Sequence, residues 1–482
     1  MLILAALALL LWLYLMLGHG RFWQSVPELP PAHPATTPSV AVIVPARDEA
    51  PFIAATIGSL AAQDYAGPFR IILVDDGSTD GTGTIARALA DPRITVVTGA
   101  ARPTGWSGKL WAIAQGLAEA GGADLIMLTD ADIEHRPGHL GALVAEQEAS
   151  GCDLVSEMVA LRCRSLAERA LAPAFVFFFQ LLYPFSRVND PQSATAAAAG
   201  GTILLRRQAL ARIGGIGAVQ GELIDDVALA AAVKRGGRIW LGHSVLASSL
   251  RPYPRFADIW AMVARTAYVQ LRFSPALLLV TVLAMLLTWL VPPAAALLSD
   301  GTARWLGVAA WVMLSVSYLP TLRRYHCSAL WAPFLPLIAA FYLAATLGSA
   351  VNHYRGRGVA WKGRAYQGAG RYHGASGDAD TGGRRREGGR EGGMEGGMEG
   401  GTEPSRRRED EAAGQTQGTP LALWEGPKPA DSCVASPPPA PPTRGGEFPV
   451  SASAPPPDPD ADGERYRQGP GERPTAHQGE AG

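Results

Sequence analysis

The chain has 482 residues, room for two or three domains, and carries 42 Lys+Arg against 43 Asp+Glu for a formal net charge of −1. That balance gives no basic footprint, so a nucleic-acid partner is excluded. The 4 cysteines, Cys152, Cys163, Cys327 and Cys433, form no CxxC pair and no zinc spacing, a scatter that suits a reducing compartment better than a disulfide scaffold.

Residues 1–18 read MLILAALALLLWLYLMLG, apolar throughout and near the ~20 residues that a membrane helix needs. Neither the basic start nor the small-residue cleavage site of a removable signal is clear, so a retained anchor is expected over 1–20. A Pro-rich linker over 21–38, with PELPPAHPATTP at 27–38, is expected to be extended. Residues 39–273 alternate strand-like apolar runs with Ala-rich helical stretches, the pattern of a soluble domain.

Four junctions in that domain carry unusual polar residues. VAVIVPARDEA (40–50) ends in Pro45, Arg47, Asp48 and Glu49; IILVDDGSTDGT (71–82) carries Asp75, Asp76 and Asp80. ADLIMLTDADIE (123–134) sets Asp130 and Asp132 around one alanine, and GELIDDVALA (221–230) opens an apolar helical pattern with Asp225 and Asp226. One acidic turn is explained by capping and backbone tolerance alone. Three that follow separate strands point to a cation or a polyphosphate, because ligands of open parallel sheets bind beyond the carboxyl ends of the strands. Magnesium and manganese prefer such oxygen ligands together with substrate phosphates.

AFVFFFQLLYPF (174–185) is intensely aromatic. It reads either as core or as an interfacial helix that sets Phe175, Phe177, Phe178, Phe179 and Tyr183 into the headgroup boundary. Apolar blocks at 275–298, 305–320 and 329–351 predict membrane helices within 274–352, followed by a basic segment, 353–371. Three crossings from a cytoplasmic domain keep Arg323 and Arg324 inside but send Arg355, Arg357, Lys362 and Arg364 outside, against the positive-inside tendency. A re-entrant last block, or a break at Pro292-Pro293, removes the conflict. Beyond that, REGGREGGMEGGMEGG, PPPAPP and PPPDPD cannot bury enough apolar surface to fold, so 372–482 is expected to be a disordered tail.

The order and content of the four junctions resemble the family 2 glycosyltransferases over roughly 39–275. The resemblance implies a three-layer α/β, Rossmann-like fold of the glycosyltransferase A type with a mostly parallel sheet. Residue by residue it implies nucleotide-sugar contacts from Pro45, Arg47 and Glu49, a base-reading Asp76, and Asp130 and Asp132 as the Asp-x-Asp element. Asp132 is the implied ligand of a divalent Mg or Mn ion. The family's Glu-Asp pair is matched by Asp225-Asp226, with Asp226 as general base. In GWSGKLWAIAQG (105–116), Lys109 reads as a cation near the diphosphate or as a solvated lysine. AAGGTILLRRQALARIGG (198–215) resembles the acceptor-side segment, with Gly200 and Gly201 allowing close approach or serving a turn. The Gln-x-x-Arg-Trp element is represented only by Arg265, which argues against a processive polymerase. The layout is most similar to the bacterial hopene-associated glycosyltransferases. The implied protein is an inverting, metal-dependent enzyme of the bacterial inner membrane, its domain cytoplasmic, moving a sugar from a nucleotide-sugar donor to a membrane lipid acceptor such as a hopanoid. Transfer to a polyprenyl phosphate is the rival within enzymes, and a non-catalytic membrane binding module is the rival outside them. The arginines Arg251, Arg255, Arg265 and Arg272 are expected to anchor the membrane-facing surface to anionic headgroups.

Overall fold

The computed structural model describes residues 1–356 and the two-residue strands Ala360–Trp361 and Arg364–Ala365, all within one compact unit, Met1–Asp380. The expected tail 372–482, and Arg357 and Lys362 of the basic segment, lie outside the described residues.

The β-branched run of VAVIVPA makes β1 (Val40–Ala46), buried along its whole length, as strands covered on both faces are. It is followed by β2 (Phe69–Asp75), β3 (Ile94–Thr98), β4 (Leu125–Thr129), β5 (Ile133–His135), β6 (Leu154–Ala160), β7 (Thr202–Arg206) and β8 (Ile239–Ser249). They form one sheet in the order β3-β2-β1-β4-β7-β6-β8-β5. The β1–β2, β2–β3, β1–β4 and β6–β8 pairs are parallel, whereas β7 runs against β4 and β6, and β5 against β8. One face is packed by residues such as Ile113, Leu229 and Val176, the other by Ile53, Ile57 and Leu143. The result is the expected three-layer α/β fold of the glycosyltransferase A type with a mostly parallel sheet.

This topology positions the site. The carboxyl ends of β1, β2, β4, β6 and β8 share one edge with the amino end of the reversed β7. Residues 45–49, 75–82, 130–132, 200–201 and 249–251 therefore converge there, although they are scattered over the sequence.

The aromatic helix Leu166–Leu182 is core. Phe177 is fully buried, with its ring 5.2 Å from Tyr318, 5.4 Å from Phe22 and 6.2 Å from Trp289. Phe178 packs on Trp289 and Tyr342, and Phe179 on Tyr183 and Phe185. The interfacial reading is thus replaced. These rings join the α/β domain to the apolar helices, and the burial of such large side chains rewards that placement.

Three apolar helices are long enough to cross a membrane: Pro275–Leu298, Gly301–Arg324 and Ala329–Tyr354. The helix Leu2–Leu17 packs beside them, with Trp12 Nε1 donating to Thr288 O at 2.8 Å. Pro292-Pro293 does not break the first: a π-turn over Leu286–Leu290 lets the helix continue from Val291. It then turns back on the second through Gly307, where a Cβ would stand 2.6 Å from Ala296 N, the close approach small residues permit between apolar helices. The last helix ends where the first begins, with His353 stacked 4.6 Å from Phe273 and Tyr354 bonded to Tyr268. Its start follows Arg324, which is bound to Ser25 and Glu28 of the segment leading into β1. Both ends of the last helix therefore lie on the side where the α/β domain is attached.

Candidate functional site

The acidic loops divide into structural and cleft-facing carboxylates. Asp75 accepts from Ser78 N at 2.9 Å, and Asp80 accepts from Ala50 N at 2.9 Å and from Thr82 N at 3.0 Å. Both serve the loop, as turn aspartates do. Asp76 is 2% exposed, and its carbonyl accepts from Arg47 Nη1 at 2.5 Å. Asp48 in turn accepts from Thr79 N at 2.8 Å, lacing the first two loops together. Gly77 and Gly81 take positive φ of 67° and 88°. Open space surrounds a Cβ built on Gly81, so backbone conformation rather than close approach explains that glycine.

At the centre of the edge stands a lysine among aspartates. Ser107 caps the helix Gly108–Glu119, accepting from Leu110 N, and this places Lys109 in its first turn. Lys109 Nζ lies 2.9 Å from Asp130 Oδ1 and 3.4 Å from Asp225 Oδ2. Burial alone would lower its pKa, but Asp130, Asp225 and Asp226 together raise it, so the ammonium is permanent. Asp226 lies in the first turn of the helix Asp225–Lys234 and accepts from Gly200 N at 2.8 Å through Oδ2. A Cβ on Gly200 would stand 3.2 Å from both Asp226 Oδ2 and Lys109 Nζ, so the glycine eases their close approach. Gly201 packs against Val159, 3.0 Å from where its Cβ would be. Burial pushes the Asp226 carboxyl up to about 7, with Asp225 adding to the rise and Lys109, Val227 N and Gly200 N opposing it. Pro45, Lys109, Gly200, Asp225 and Asp226 line one pocket with Thr129 and Leu128.

A second cation holds the other side. Leu250 N donates to Asp132 O at 2.7 Å, which ties the end of β8 to the Asp-x-Asp loop. Arg251 is thereby brought to Asp132, Nε to Oδ2 at 2.5 Å, and Nη2 reaches both Glu49 oxygens at 2.7 and 2.6 Å. Arg251 therefore belongs to the site, and its expected role as a headgroup anchor is corrected. Its sequence setting among other arginines before an apolar helix hid this, since its partner Glu49 lies 202 residues away. Arg255 stays largely exposed and pairs with Asp258 on the surface at 2.7 Å. Burial raises the Asp132 carboxyl, Asp130 adds to the rise, and Arg251 opposes it.

Of the expected site residues, Pro45, Lys109, Asp130, Gly200, Asp225 and Asp226 form one cluster, and Glu49 and Asp132 meet through Arg251. Arg47 and Asp76 make a third pair further along the edge. Arg265 is on the exposed face of the helix Phe256–Gln270, near Tyr253. Tyr183 belongs to the aromatic stretch for which the sequence allows either core or interfacial placement. It accepts from Gln270 Nε2 at 2.5 Å and lies within electrostatic reach of Asp226.

Asp130 and Asp132 supply hard oxygen donors, the chemistry a magnesium or manganese ion takes with substrate phosphates. No group of three His, Cys, Asp or Glu able to hold an ion occurs among the described residues. Asp130 and Asp132 are thus the oxygen donors this edge could offer such an ion.

The chain is similar over part of its length to known proteins. Succinoglycan biosynthesis protein ExoA of Rhizobium meliloti (strain 1021) is 29% identical over 223 residues, covering 46% of this chain and 64% of the relative. An N-acetylglucosaminyltransferase of Neorhizobium galegae is 51% identical over 55 residues, 11% of this chain and 13% of the relative. The chain thus spans less than two thirds of the length of either. Among solved structures, the mannosyltransferase PcManGT from Pyrobaculum calidifontis in complex with GDP-Man and Mn2+ aligns with a TM-score of 0.44 at 21% identity, covering 73% of this chain and 99% of that one. Residues 41–214 match the model of glycosyl transferase family 2; they include the loops at 45–49, 75–82, 130–132 and 200–201, while Asp225, Asp226 and Arg251 lie beyond the matched residues.

Proposed function

We propose that the protein is an inverting, metal-dependent glycosyltransferase that moves a sugar from a nucleotide-sugar donor to the hydroxyl of a membrane lipid. The observation that carries this reading is the placement of Asp226. It sits at the sheet edge beside Lys109 and Asp130, with its carboxyl pushed up to about 7, near the operating pH that suits a general base.

The acceptor oxygen gives its proton to Asp226 and attacks the anomeric carbon in line, while the bond from that carbon to the diphosphate oxygen breaks. Lys109 offers a permanent positive charge on the donor side, and Arg47 and Asp76 face the nucleotide. Asp132 would hold a Mg or Mn ion, which when bound would neutralise the diphosphate's charge. Asp225 positions Lys109 and, as a like charge, keeps Asp226 basic.

A hydroxyl acceptor needs such a base, whereas a polyprenyl phosphate, already anionic, does not. The raised carboxyl of Asp226 therefore favours the hydroxyl. The apolar helices favour a lipid, and the resemblance to hopene-associated enzymes favours a polycyclic terpenoid alcohol. We place the domain on the cytoplasmic side of a bacterial inner membrane. Arg323, Arg324 and Arg355 all then lie inside, because the last helix dips into the bilayer and returns to the side it left.

The test is to incubate membranes containing the protein with labelled nucleotide sugars, with and without manganese, and to extract the lipid. Labelled lipid in which the sugar is joined to an alcohol, with inverted anomeric configuration, supports the reading. Labelled polyprenyl phosphate, or absence of transfer from every donor, defeats it.

A further inference from the structure

Beneath the cleft lies a chain of buried polar side chains that the reaction above leaves unused. Thr129 ends β4, His135 ends β5, His139 opens the helix His139–Ser150, and Glu157 lies within β6. Their exposures are 1%, 2%, 0% and 0%. Thr129 Oγ1 donates to Gly201 O at 2.8 Å. A hydroxyl has one hydrogen to give, so Thr129 must accept from His135 Nε2, 3.1 Å away. Burial first, and His139 second, hold the His135 imidazole well below its ordinary pKa, so the ring is neutral. With its proton on Nε2, its Nδ1 accepts from His139 Nδ1 at 2.9 Å. His139 Nε2 is hydrogen-bonded in turn to Glu157 Oε1. A single carbonyl, that of Gly201, thus fixes the direction of the bonds from Thr129 to His139.

Four polar side chains buried this deeply are costly, the more so because Glu157 Oε2 has no hydrogen-bond partner. The sheet does not require them, since its strands pair through the backbone. What the chain reaches is the loop that holds Asp226. Ser156 Oγ donates to Ala199 O at 3.1 Å or Thr202 O at 2.9 Å, and accepts from Ala199 N at 2.9 Å. Thr129 fixes the carbonyl of Gly201, and the Gly200 N–H between these anchors donates to Asp226 Oδ2 at 2.8 Å. We propose that Thr129, oriented by His135, His139 and Glu157, is a positioning residue that holds the Gly200–Gly201 loop and so keeps the Gly200 N–H on the Asp226 carboxylate. This inference rests on the glycosyltransferase reading of Asp226.

The groups that face Asp226 are Asp225 on its own helix, Lys109 on the helix Gly108–Glu119, and Tyr183 at the end of the helix Leu166–Leu182. None of them changes when Thr129 is altered. Loosening Gly200 N–H removes a donor that stabilises the charged form of Asp226, so its deprotonation moves to higher pH.

The experiment compares the pH dependence of sugar transfer by full-length wild type, Thr129→Val, Thr129→Ser and Asp226→Asn in membranes. Thr129→Val keeps the shape and loses the hydroxyl. It is expected to move the inflection near pH 7 upward by about one unit. Its kcat should fall between about tenfold and a hundredfold, with the donor KM within about twofold of wild type. Thr129→Ser should restore both. Should Thr129→Val fail to fold, Glu157→Gln removes the charge at the far end of the chain and should move the inflection the same way by less. A wild-type inflection in folded Thr129→Val, or in Glu157→Gln where only that variant folds, overturns the inference and leaves the glycosyltransferase reading intact. Absence of transfer by wild type, or an inflection that Asp226→Asn does not abolish, overturns the reading of Asp226 and the inference with it.

Discussion

Two ion clusters occupy the same sheet edge and solve the same problem differently. Around Lys109, one point charge serves three carboxylates, Asp130, Asp225 and Asp226. Around Arg251, one planar fork serves two, gripping Glu49 with one nitrogen and Asp132 with another. An ammonium is compact and cannot hold three carboxylates equally, whereas a guanidinium directs several donors at once. In the lysine cluster, burial first and Asp225 second hold the Asp226 carboxyl near 7 against the opposing charge of Lys109. The arginine cluster fixes Glu49 and Asp132 in place. Burial and the like charge of Asp225 raise Asp226 despite the lysine, whereas the guanidinium fixes the positions of Glu49 and Asp132 while only opposing the burial that raises Asp132.

The largest break in this comparison is expected from Asp226→Asn. Loss of a general base should lower transfer by about 10²–10⁴-fold, with nucleotide-sugar binding by calorimetry unchanged. Weakened binding instead would assign Asp226 to the donor. The arginine cluster should respond in stability. Arg251→Met leaves Glu49, 7% exposed, without its bidentate partner. The loss should be about 3 kcal/mol, the low end for a broken buried pair because Arg251 is partly open to solvent. Adding Glu49→Gln should recover most of it, and thermal unfolding in detergent reads both changes.

Lys109→Met sharpens the contrast within the first cluster. The Lys109 charge lowers the Asp226 carboxyl, so its removal should move the pH–rate inflection upward from about 7. An unchanged profile would show that the lysine does not act on Asp226. The smallest effect concerns stability against pH. The folded value of Asp226, about 7, lies above its ordinary 3.8. Its contribution is therefore fully present below pH 3.8 and is lost as pH rises through 7. Unfolding temperatures of wild type and Asp226→Asn should diverge in that window, the variant gaining toward alkaline pH.

The sequence by itself determined which loops carry the carboxylates and that they follow separate strands, because apolar runs and turn residues are local signals. It also determined three of the apolar helices, whose length and composition are legible without a fold. Tertiary structure alone decided which carboxylates serve the loop and which face the cleft: Asp75, Asp76 and Asp80 stand within six residues and differ only in their partners. It likewise decided the place of Arg251, whose contact with Glu49 spans 202 residues, and of the chain from Thr129 to Glu157, whose members come from three strands and a helix. The aromatic helix and the returning last helix follow the same rule. Their sequences state that they are apolar, but only packing states what they meet. Charge compensation and burial depend on distances across the sheet, and no periodicity along the chain encodes those distances.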